Sequence, residues 1–393
     1  MSNVHSTTTT LTSTDIASDM VFCTFCLSQQ DDDNYGSDDD YREEEEELGY
    51  AQDIVVVRGK DERVACSDFC VSCPPLENKS GEIRVCINGV EMDSLRMTVH
   101  HQQVVFCTGL SCKPSSTNLL QALNHLDAIQ QDKNHNDESA YQVEFRQRQT
   151  TTTTTTTTIN NDNNNNNKSD NKARDVVVAR ANLFVWDAKD RVVVCDIDGT
   201  ITKSNVRGVW DTIVMESYRY AHDGVCGFLS NLPPPFRILY LTSRPLDLSN
   251  TTRKFLRGLR QEAASTLPPG PLFSQNVSFG QVLLSELLWK NVHLYKTDTL
   301  VRQLCLVFAA VQQDEDDGFS CPLVAGFGNT SADTMAYDRA GIPLLYQINK
   351  SSRITRRVLS DEGYTIQETY HGGFQDPKLL EDLLQLLPTE TCE

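Results

Sequence analysis

The chain of 393 residues is short of basic side chains: 35 Lys and Arg stand against 54 Asp and Glu, which gives a formal net charge of −19. Part of the acidic excess lies in runs near the amino terminus, such as Asp38–Asp40 and Glu43–Glu47. No comparable run of Lys and Arg stands elsewhere in the chain. Because clustered cations bind phosphate backbones and anionic lipid head groups, the sequence predicts no nucleic-acid partner and no electrostatic anchor to a membrane.

Long apolar runs are also missing. The best run, Leu304–Val311, falls far short of the roughly 20 residues that span a bilayer, so no transmembrane segment is predicted. The first residues are rich in Ser and Thr and lack the basic start and apolar core of a signal peptide. The 13 cysteines are odd in number and irregularly spaced, which favours reduced thiols over a disulfide framework. We therefore expect a cytoplasmic protein.

Two Cys-x-x-Cys pairs, Cys23/Cys26 and Cys70/Cys73, have the spacing of a zinc knuckle. The second pair falls in a strand-like stretch, and the acidic run separates the two pairs. Zinc binding is therefore the weaker of two open interpretations, and reduced thiols without metal are the other.

The most informative stretch for chemistry is the apolar run 192–195 that ends in Asp196-Ile197-Asp198-Gly199-Thr200. Such a pattern predicts a buried parallel strand that delivers two carboxylates to the edge where α/β sheets bind ligands. Asp196 could attack phosphorus, Asp198 could protonate the leaving oxygen and later activate water, and Thr200 could hydrogen-bond a phosphate oxygen or the nucleophile. Two adjacent carboxylates call for a hard divalent cation such as Mg²⁺. The plain alternative is a strand followed by an Asp-Gly turn with solvated acids.

The pentapeptide is the nucleophile motif of the haloacid dehalogenase-like phosphatases. The longer string 196–205, Asp-Ile-Asp-Gly-Thr-Ile-Thr-Lys-Ser-Asn, resembles the carboxy-terminal catalytic domain of the lipins, which are magnesium-dependent phosphatidate phosphatases. The resemblance implies an α/β fold with a haloacid dehalogenase-like, Rossmann-like parallel sheet. Only about thirty residues separate Thr202 from the next predicted strand, and a helix at Asp211–Ala221 accounts for many of them, so we expect no large cap domain.

Further residues extend the resemblance to the substrate-binding part of the site. The strand that ends in Thr242-Ser243-Arg244 is similar to the family's second motif, which implies that Thr242 contacts phosphate and that Arg244 holds the substrate or the loop. A Thr-Ser helix cap is the alternative. Lys296, at the entry to a helix, would neutralise the phosphoryl group together with Asp196, and Lys290 is its competitor.

The metal ligands come from the same resemblance. In lipins the sequence Phe-Gly-Asn-x-x-x-Asp holds the metal, and here it is Phe327 to Asp333. The implied Mg²⁺ ligands are therefore a carboxylate oxygen of Asp196, the backbone carbonyl of Asp198, Asn329 and Asp333. A Gly-Asn turn with a helix-capping Asp is the alternative.

Upstream, short β-rich runs broken by turns predict part of a small β-sandwich, and Asn88-Gly89 is a strong hairpin signal. The runs Asp53–Arg58 and Ser67–Phe69 and the Ile87-Asn88-Gly89 turn resemble the lipin amino-terminal domain in the same order. The resemblance implies that the strand Asn182–Asp187 completes a split immunoglobulin-like sandwich. We expect an acidic disordered segment at 1–48, the first part of the sandwich at 49–110, a Thr- and Asn-rich linker at 111–180, a returning strand at 181–190, the catalytic domain at 191–350 and a tail with a helix at 351–393.

Together these patterns predict an enzyme that hydrolyses phosphatidate to diacylglycerol and phosphate through a phosphoaspartyl intermediate. Two alternatives are a capless phosphatase acting on phosphoproteins and a lipid-sensing module that binds phosphatidate without cleaving it. We expect reversible association with membranes, the endoplasmic reticulum above all. A helix over Asp15–Leu27 with one apolar face is a candidate membrane-surface element, although it lacks any Lys or Arg. The oligomeric state is not indicated.

Overall fold

The structure is a computed structural model that describes residues 49–72, 81–100, 103–107, 109–133, 140–150, 173–203, 221–262, 265–276, 291–312, 321–361 and 363–387. Several predictions of the sequence lie outside these residues: the acidic amino-terminal segment, the helix from Asp15, the Cys23/Cys26 pair, Cys73, the Thr and Asn tracts and Lys290. Most of the predicted helix 211–221 lies outside them too, so the predicted absence of a large cap stays a prediction.

The described residues form an α/β structure. Its strands are β1 Tyr50–Ala51, β2 Ile54–Arg58, β3 Val64–Cys66, β4 Val71–Ser72, β5 Glu82–Ile87, β6 Val90–His100, β7 Gln103–Phe106, β8 Tyr141–Thr150, β9 Ala173–Asp187, β10 Arg191–Asp196, β11 Phe236–Pro245, β12 Leu272–Gln275, β13 Leu323–Gly328, β14 Leu344–Ile348, β15 Ile354–Ser360 and β16 Gly363–Tyr370. Its longer helices are α1 Ser116–Lys133, α2 Val225–Ser230, α3 Ser249–Gly258, α4 Val292–Leu300, α5 Ser331–Arg339 and α6 Pro377–Leu384. A π turn at Val301–Cys305 and a short helical turn at Leu306–Ala309 continue α4, and 3-10 turns occupy Leu246–Leu248 and Gly373–Gln375.

One seven-stranded sheet has the order β12-β11-β10-β13-β14-β15-β16. The first five strands run parallel, and β15 and β16 are added antiparallel at one edge. The central strand β10 is β-branched and buried on both faces, because Val193 and Cys195 enter one core while Val192 and Val194 enter another. The carboxyl ends of β10, β11 and β13 therefore meet at one edge of the sheet, which is where ligands bind in such folds.

A second seven-stranded sheet has the order β3-β2-β9-β8-β5-β6-β7, and β1 pairs with β4 in a separate ribbon. The β5–β6 hairpin turns at Asn88 and Gly89, whose φ angles of 48° and 79° lie in the left-handed region that this dipeptide favours, as predicted. Helix α1 covers one face with Leu119, Leu123 and Leu126, which join the core of this sheet.

The two large sheets share a core. Strand β9 ends at Asp187 and β10 begins at Arg191, so a single tight turn leads from one sheet into the other. Phe184 and Trp186 of β9 lie in the same buried cluster as Val192 and Val194 of β10. The second sheet is thus packed directly against the sheet that contains β10.

A buried ion pair also crosses this boundary. Arg253 of α3 donates from Nε to Asp53 Oδ1 at 3.0 Å and from Nη2 to the carbonyl of Ala51 at 2.5 Å. The same carboxylate accepts the backbone N–H groups of Asn182 at 2.7 Å and Leu272 at 2.9 Å. Asp53 therefore joins both sheets and α3 at one point.

The predicted linker at 111–180 is wrong in extent. Helix α1 occupies Ser116–Lys133, strand β8 occupies Tyr141–Thr150, and β9 begins at Ala173, eight residues before the predicted returning strand. The neighbouring polar tracts obscured an apolar alternation at Tyr141, Val143 and Phe145, whose side chains are buried. Residues 151–172 lie outside the described part.

The predicted boundary at residue 350 and the predicted tail also need correction. Strands β15 and β16 extend the sheet that contains β10 to Tyr370, and the tail contains the helix α6. The two strands are mostly half-buried or exposed, so their polar sequences do not show the apolar pattern of an inner strand. Within the ranges described above, no helix is long and apolar enough to cross a membrane.

Candidate active site

The end of β10 places Asp196 in a buried position at the ligand-binding edge. Its side chain is 4% exposed, and Oδ2 accepts a 3.0 Å hydrogen bond from Thr200 Oγ1. The chain can fold back this tightly because Gly199 adopts φ 89°, a left-handed conformation that costs glycine little. The backbone N–H groups of Ile201 and Thr202 both bond the carbonyl of Ile197 at 3.0 Å. The turn therefore holds Thr200 against the carboxylate four residues earlier.

Lys296 of α4 joins two carboxylates that are distant in sequence. Its Nζ donates to Asp196 Oδ1 and to Asp333 Oδ1, each at 2.5 Å. All three side chains are at most 4% exposed. One ammonium group thus serves two carboxylates, which leaves an excess of one negative charge when both are ionised.

The pKa values of Asp196, Lys296 and Asp333 reflect the close approach of these three buried charges. Burial raises the pKa of Asp196 to about 7; the ammonium of Lys296 opposes this, and Asp333 and Asp198 add to it. Burial acts to lower the pKa of Lys296, but the charges of Asp196 and Asp333 outweigh it and hold that pKa above its ordinary value. Burial acts to raise the pKa of Asp333, but Lys296 and the hydrogen bonds from Thr330 hold it below its usual range. The proton on Lys296 is therefore secure, and Asp196 is the group most easily protonated.

Asp198 is held by a different cation. Arg244, at the end of β11, donates from Nε to Asp198 Oδ2 at 3.0 Å and from Nη2 to Oδ1 at 2.7 Å. Thr242 Oγ1 donates to Asp198 Oδ2 at 3.0 Å and accepts from the backbone N–H of Arg244 at 3.1 Å. Arg244 is anchored in turn, since Nη1 lies 3.3 Å from Thr252 Oγ1 and the guanidinium lies 6.0 Å from the Phe255 ring.

The loop after β13 carries the remaining predicted ligands. Asp333 Oδ2 accepts backbone N–H bonds from Asn329 at 3.1 Å and Thr330 at 2.9 Å, and Thr330 Oγ1 accepts from the backbone N–H of Asp333. This is a reciprocal cap on α5. A Cβ on Gly328 would stand 2.6 Å from the Cβ of Asp333, so only glycine admits the close approach of the carboxylate.

The residues present fit a hard divalent cation. The predicted donor set contains only oxygens, namely the carboxylates of Asp196 and Asp333, the side chain of Asn329 and the backbone carbonyl of Asp198. Asp196 and Asp333 are nearly inaccessible to water and carry more negative charge than Lys296 offsets. In the described part of the chain no three His, Cys, Asp or Glu side chains converge as a metal site, so the predicted set depends on the amide and the backbone carbonyl.

The structure therefore divides the predicted residues into two groups. Asp196, Thr200, Lys296 and Asp333 form one hydrogen-bonded set, with Asn329 at its loop. Thr242 and Arg244 both bond Asp198, and their predicted contacts with the substrate phosphate stay a prediction. Lys296 lies within α4 rather than at its entry.

Two contributors were not anticipated from the sequence. Thr330 fixes Asp333, and the pattern Thr-x-x-Asp before an apolar stretch is a signal that predicts such a cap. Thr252 anchors Arg244 from α3, eight residues away in sequence, and no motif marks it.

Fold and site together define a class: an α/β protein with paired acids, each matched to a buried cation, at the carboxyl edge of a parallel sheet. Residues 146–372, more than half of the chain, match the family described as LNS2 (Lipin/Ned1/Smp2), and the chain belongs to that family. The recognition made from the sequence is confirmed.

Curated relatives support the same assignment. The chain is 31% identical over 202 residues to nuclear elongation and deformation protein 1 of Schizosaccharomyces pombe, covering 51% of this chain and 29% of the relative. It is 32% identical over 191 residues to phosphatidic acid phosphohydrolase 1 of Saccharomyces cerevisiae, covering 48% and 22%. It is 28% identical over 196 residues to phosphatidate phosphatase PAH1 of Arabidopsis thaliana, covering 48% and 20%. The matches thus span less than a third of each relative.

Proposed function

We propose that this chain is a Mg²⁺-dependent phosphatidate phosphatase that releases diacylglycerol and phosphate. The observation that carries the proposal is the buried set Asp196–Lys296–Asp333 at the carboxyl edge of the sheet, in a chain of the LNS2 family. The names of the yeast and plant relatives supply the substrate.

In the first half-reaction Asp196 attacks the phosphorus atom of the phosphomonoester and forms a phosphoaspartyl intermediate. The contacts that Thr200 and Lys296 make with Asp196 orient the carboxylate and restrict its rotation. Asp198 donates a proton to the leaving alcohol oxygen, so the diacylglycerol departs neutral. Both oxygens of Asp198 accept hydrogen bonds from Arg244 and Thr242, so Asp198 serves as the acid after one of these contacts opens and that oxygen takes up the proton it later donates.

In the second half-reaction Asp198 accepts a proton from water as the water attacks the phosphoaspartyl group, and Asp196 is regenerated. Lys296 keeps its proton throughout, because two carboxylates hold its pKa above the ordinary value, and so it acts as a fixed positive charge. Mg²⁺ held by Asp196, the Asp198 carbonyl, Asn329 and Asp333 would supply charge neutralisation at the phosphoryl oxygens.

We also propose a fold class for each of the two large sheets. We assign the sheet that contains β10 to the haloacid dehalogenase-like class, which its parallel strand order supports. We assign the second sheet, with the β1–β4 ribbon, to a split immunoglobulin-like domain, which the pairing of β9 with both β2 and β8 supports. We also propose that the protein is cytoplasmic and associates reversibly with the endoplasmic reticulum, because its proposed substrate is a membrane lipid.

Phosphate release from phosphatidate in mixed micelles tests the proposal. Wild type and Asp196→Asn are compared with and without Mg²⁺, and phosphopeptides and soluble phosphomonoesters are offered at equal concentration. The proposal predicts Mg²⁺-dependent turnover of phosphatidate by wild type only, with a clear preference over both other substrates. A preference for phosphopeptides would identify a phosphoprotein phosphatase, and binding of phosphatidate without turnover would identify a lipid-sensing module.

A further inference from the structure

Two thiols face each other beside the active-site elements. The sulfur atoms of Cys305 and Cys321 lie 3.9 Å apart, although the residues are separated by 16 positions in sequence. Both side chains are half-buried, so small solutes reach them, whereas Cys195 and Cys226 are enclosed in the core.

Their places in the fold make the contact informative. Cys305 ends the π-helical turn Val301–Cys305, which continues directly from α4, the helix that carries Lys296. Cys321 precedes β13 by two positions, and the loop after β13 holds Asn329. A covalent bond between the two sulfurs would therefore tie the lysine helix to the strand that leads to the predicted metal ligands.

We propose that Cys305 and Cys321 form a reversible disulfide, with a peroxide as the oxidant. The thiolate of Cys321 attacks one peroxide oxygen, the O–O bond breaks, and a sulfenic acid and hydroxide result. The sulfur of Cys305 then attacks the sulfenic sulfur and displaces its oxygen, which leaves as water with the Cys305 proton. In total two thiols and one hydrogen peroxide give one disulfide and two water molecules.

The electrostatics support this division of roles. The hydrogen bond from Cys305 lowers the pKa of Cys321 to about 7 against the opposing effect of burial, so thiolate is present near neutral pH. The same hydrogen bond and burial raise the pKa of Cys305, which therefore keeps its proton until the second step.

The geometry requires only a small movement. A disulfide needs sulfur atoms about 2.05 Å apart, so the present separation must shrink by about 1.9 Å. Cys321 lies outside any helix or strand, whereas Cys305 lies within the continuous helical stretch made by α4, the π turn Val301–Cys305 and the helical turn Leu306–Ala309. The backbone movement must therefore come from Cys321. Rotation of the two side chains together with a slight backbone shift at Cys321 closes the gap.

Peptide mapping of the purified full chain tests the proposal. The protein is reduced, freed of reductant, treated with hydrogen peroxide, and its remaining thiols are capped with N-ethylmaleimide before digestion without reductant. We expect a Cys305–Cys321 cross-linked peptide, two hydrogens lighter than the sum of its parts, that disappears on treatment with dithiothreitol. The oxidised chain should also melt about 5 °C higher, because the bond restricts the unfolded state.

Cys305→Ser and Cys321→Ser should each abolish the cross-linked peptide, whereas Cys107→Ser, which removes an exposed thiol in the other sheet, should leave it intact. Cys305→Ala should also slow alkylation of Cys321 at neutral pH, since alanine cannot donate the hydrogen bond that stabilises the Cys321 thiolate. The proposal is overturned if both cysteines of wild type remain fully capped at a dose that oxidises Cys107. Pairing of either one with a different cysteine would overturn it equally, and these wild-type measurements do not depend on the folding of any variant.

Discussion

Arg244 and Asp198 form a bidentate ion pair: Nε of Arg244 lies 3.0 Å from one carboxylate oxygen and Nη2 lies 2.7 Å from the other. The guanidinium is 3% exposed and Asp198 is 12% exposed, so the pair is shielded from water. A planar fork fixes both the position and the rotation of a carboxylate, which a single ammonium group cannot do. The proposed acid/base therefore depends on a residue 46 positions away for its orientation.

Arg244→Lys should lower kcat by about tenfold to a hundredfold, because it keeps the charge and loses the fork. KM should change little, since the substituted residue acts on Asp198 rather than on substrate. Steady-state kinetics with phosphatidate measure both constants. Arg237→Lys is the matched control, because Arg237 pairs with Asp190 at the other end of the same strand. A larger effect on KM than on kcat would instead place Arg244 at the substrate phosphate.

Asp196→Asn should lower kcat by at least ~10⁴-fold, because an amide cannot attack phosphorus. Asp198→Asn should lower it by ~10²–10⁴-fold, the usual contribution of a general acid and base. Phosphate release and circular dichroism are measured together, since both variants should keep the fold. Asp223→Asn, at an exposed acid that pairs with Lys203, should retain wild-type turnover. Substantial turnover by Asp196→Asn would contradict the mechanism.

Mg²⁺ should raise the melting temperature of wild type by several degrees, because a ligand that binds only the folded state stabilises it. Asp333→Asn should remove most of that rise, since the substitution deletes one of two predicted carboxylate ligands while preserving side-chain size. Differential scanning fluorimetry across a Mg²⁺ titration measures the shift without reference to activity. Asp376→Asn, at a helix cap remote from the site in sequence, is the control for loss of a capping acid. An equal rise in melting temperature with Mg²⁺ in Asp333→Asn would show that Asp333 does not bind the metal.

Asp53→Ala should lower the free energy of unfolding by about 3–5 kcal/mol, because it leaves the buried guanidinium of Arg253 unpaired. It also removes the acceptor for the backbone N–H groups of Asn182 and Leu272. Urea unfolding measures the loss. Asp93→Ala is the comparison, since Asp93 is 83% exposed and its bond to Arg96 should contribute little. Equal midpoints for both variants would show that the contact does not join the sheets.

The titration of His222, which is completely buried with Nδ1 2.8 Å from Ser352 Oγ, should lower the stability of the fold in acid. Burial lowers the pKa of His222 to about 4, below its ordinary value of 6.5. Between these values the unfolded chain binds a proton at this residue that the folded chain does not, so the contribution of His222 to the free energy of unfolding decreases by about 3 kcal/mol as the pH falls from 6.5 to 4. Urea unfolding as a function of pH measures the slope. The raised pKa of Asp196 acts in the opposite direction over this pH range, so the contribution of His222 is measured as a difference between variants. Relative to wild type, His222→Gln should lose less stability, or gain more, between pH 6.5 and pH 4, whereas His371→Gln, at an exposed histidine, is the control.

Local patterns account for much of the framework. The alternation of Val192 to Cys195 between two cores, the tight turn at Gly199 and the hairpin at Asn88-Gly89 follow from side-chain volume and from φ values that only certain residues tolerate. These features are decided within a few residues, which is why the sequence alone suffices to assign the acids of the first motif to a strand end.

Three strands were not predicted because their short sequences show only a weak alternation of apolar and polar residues. Strand β8 stands between a helix and a polar tract, and β15 and β16 lie at an edge where half-exposed side chains blur the apolar pattern. Their membership in the two sheets depends on strands far away in sequence, so composition alone favoured linkers and tails.

The sequence by itself determined which acids, cations and glycines the site contains and where β10 ends. Only the tertiary structure decided which cation serves which acid: Lys296 reaches Asp196 across 100 positions and Asp333 across 37, while Arg244 and Thr242 are committed to Asp198. The physical reason is that strand ends and turns follow from local sterics, whereas the partners of buried charges follow from long-range packing. Neighbouring strands bring their carboxyl ends within hydrogen-bond distance, and the packing of α4 against β11 and α5 brings Lys296 to the same edge.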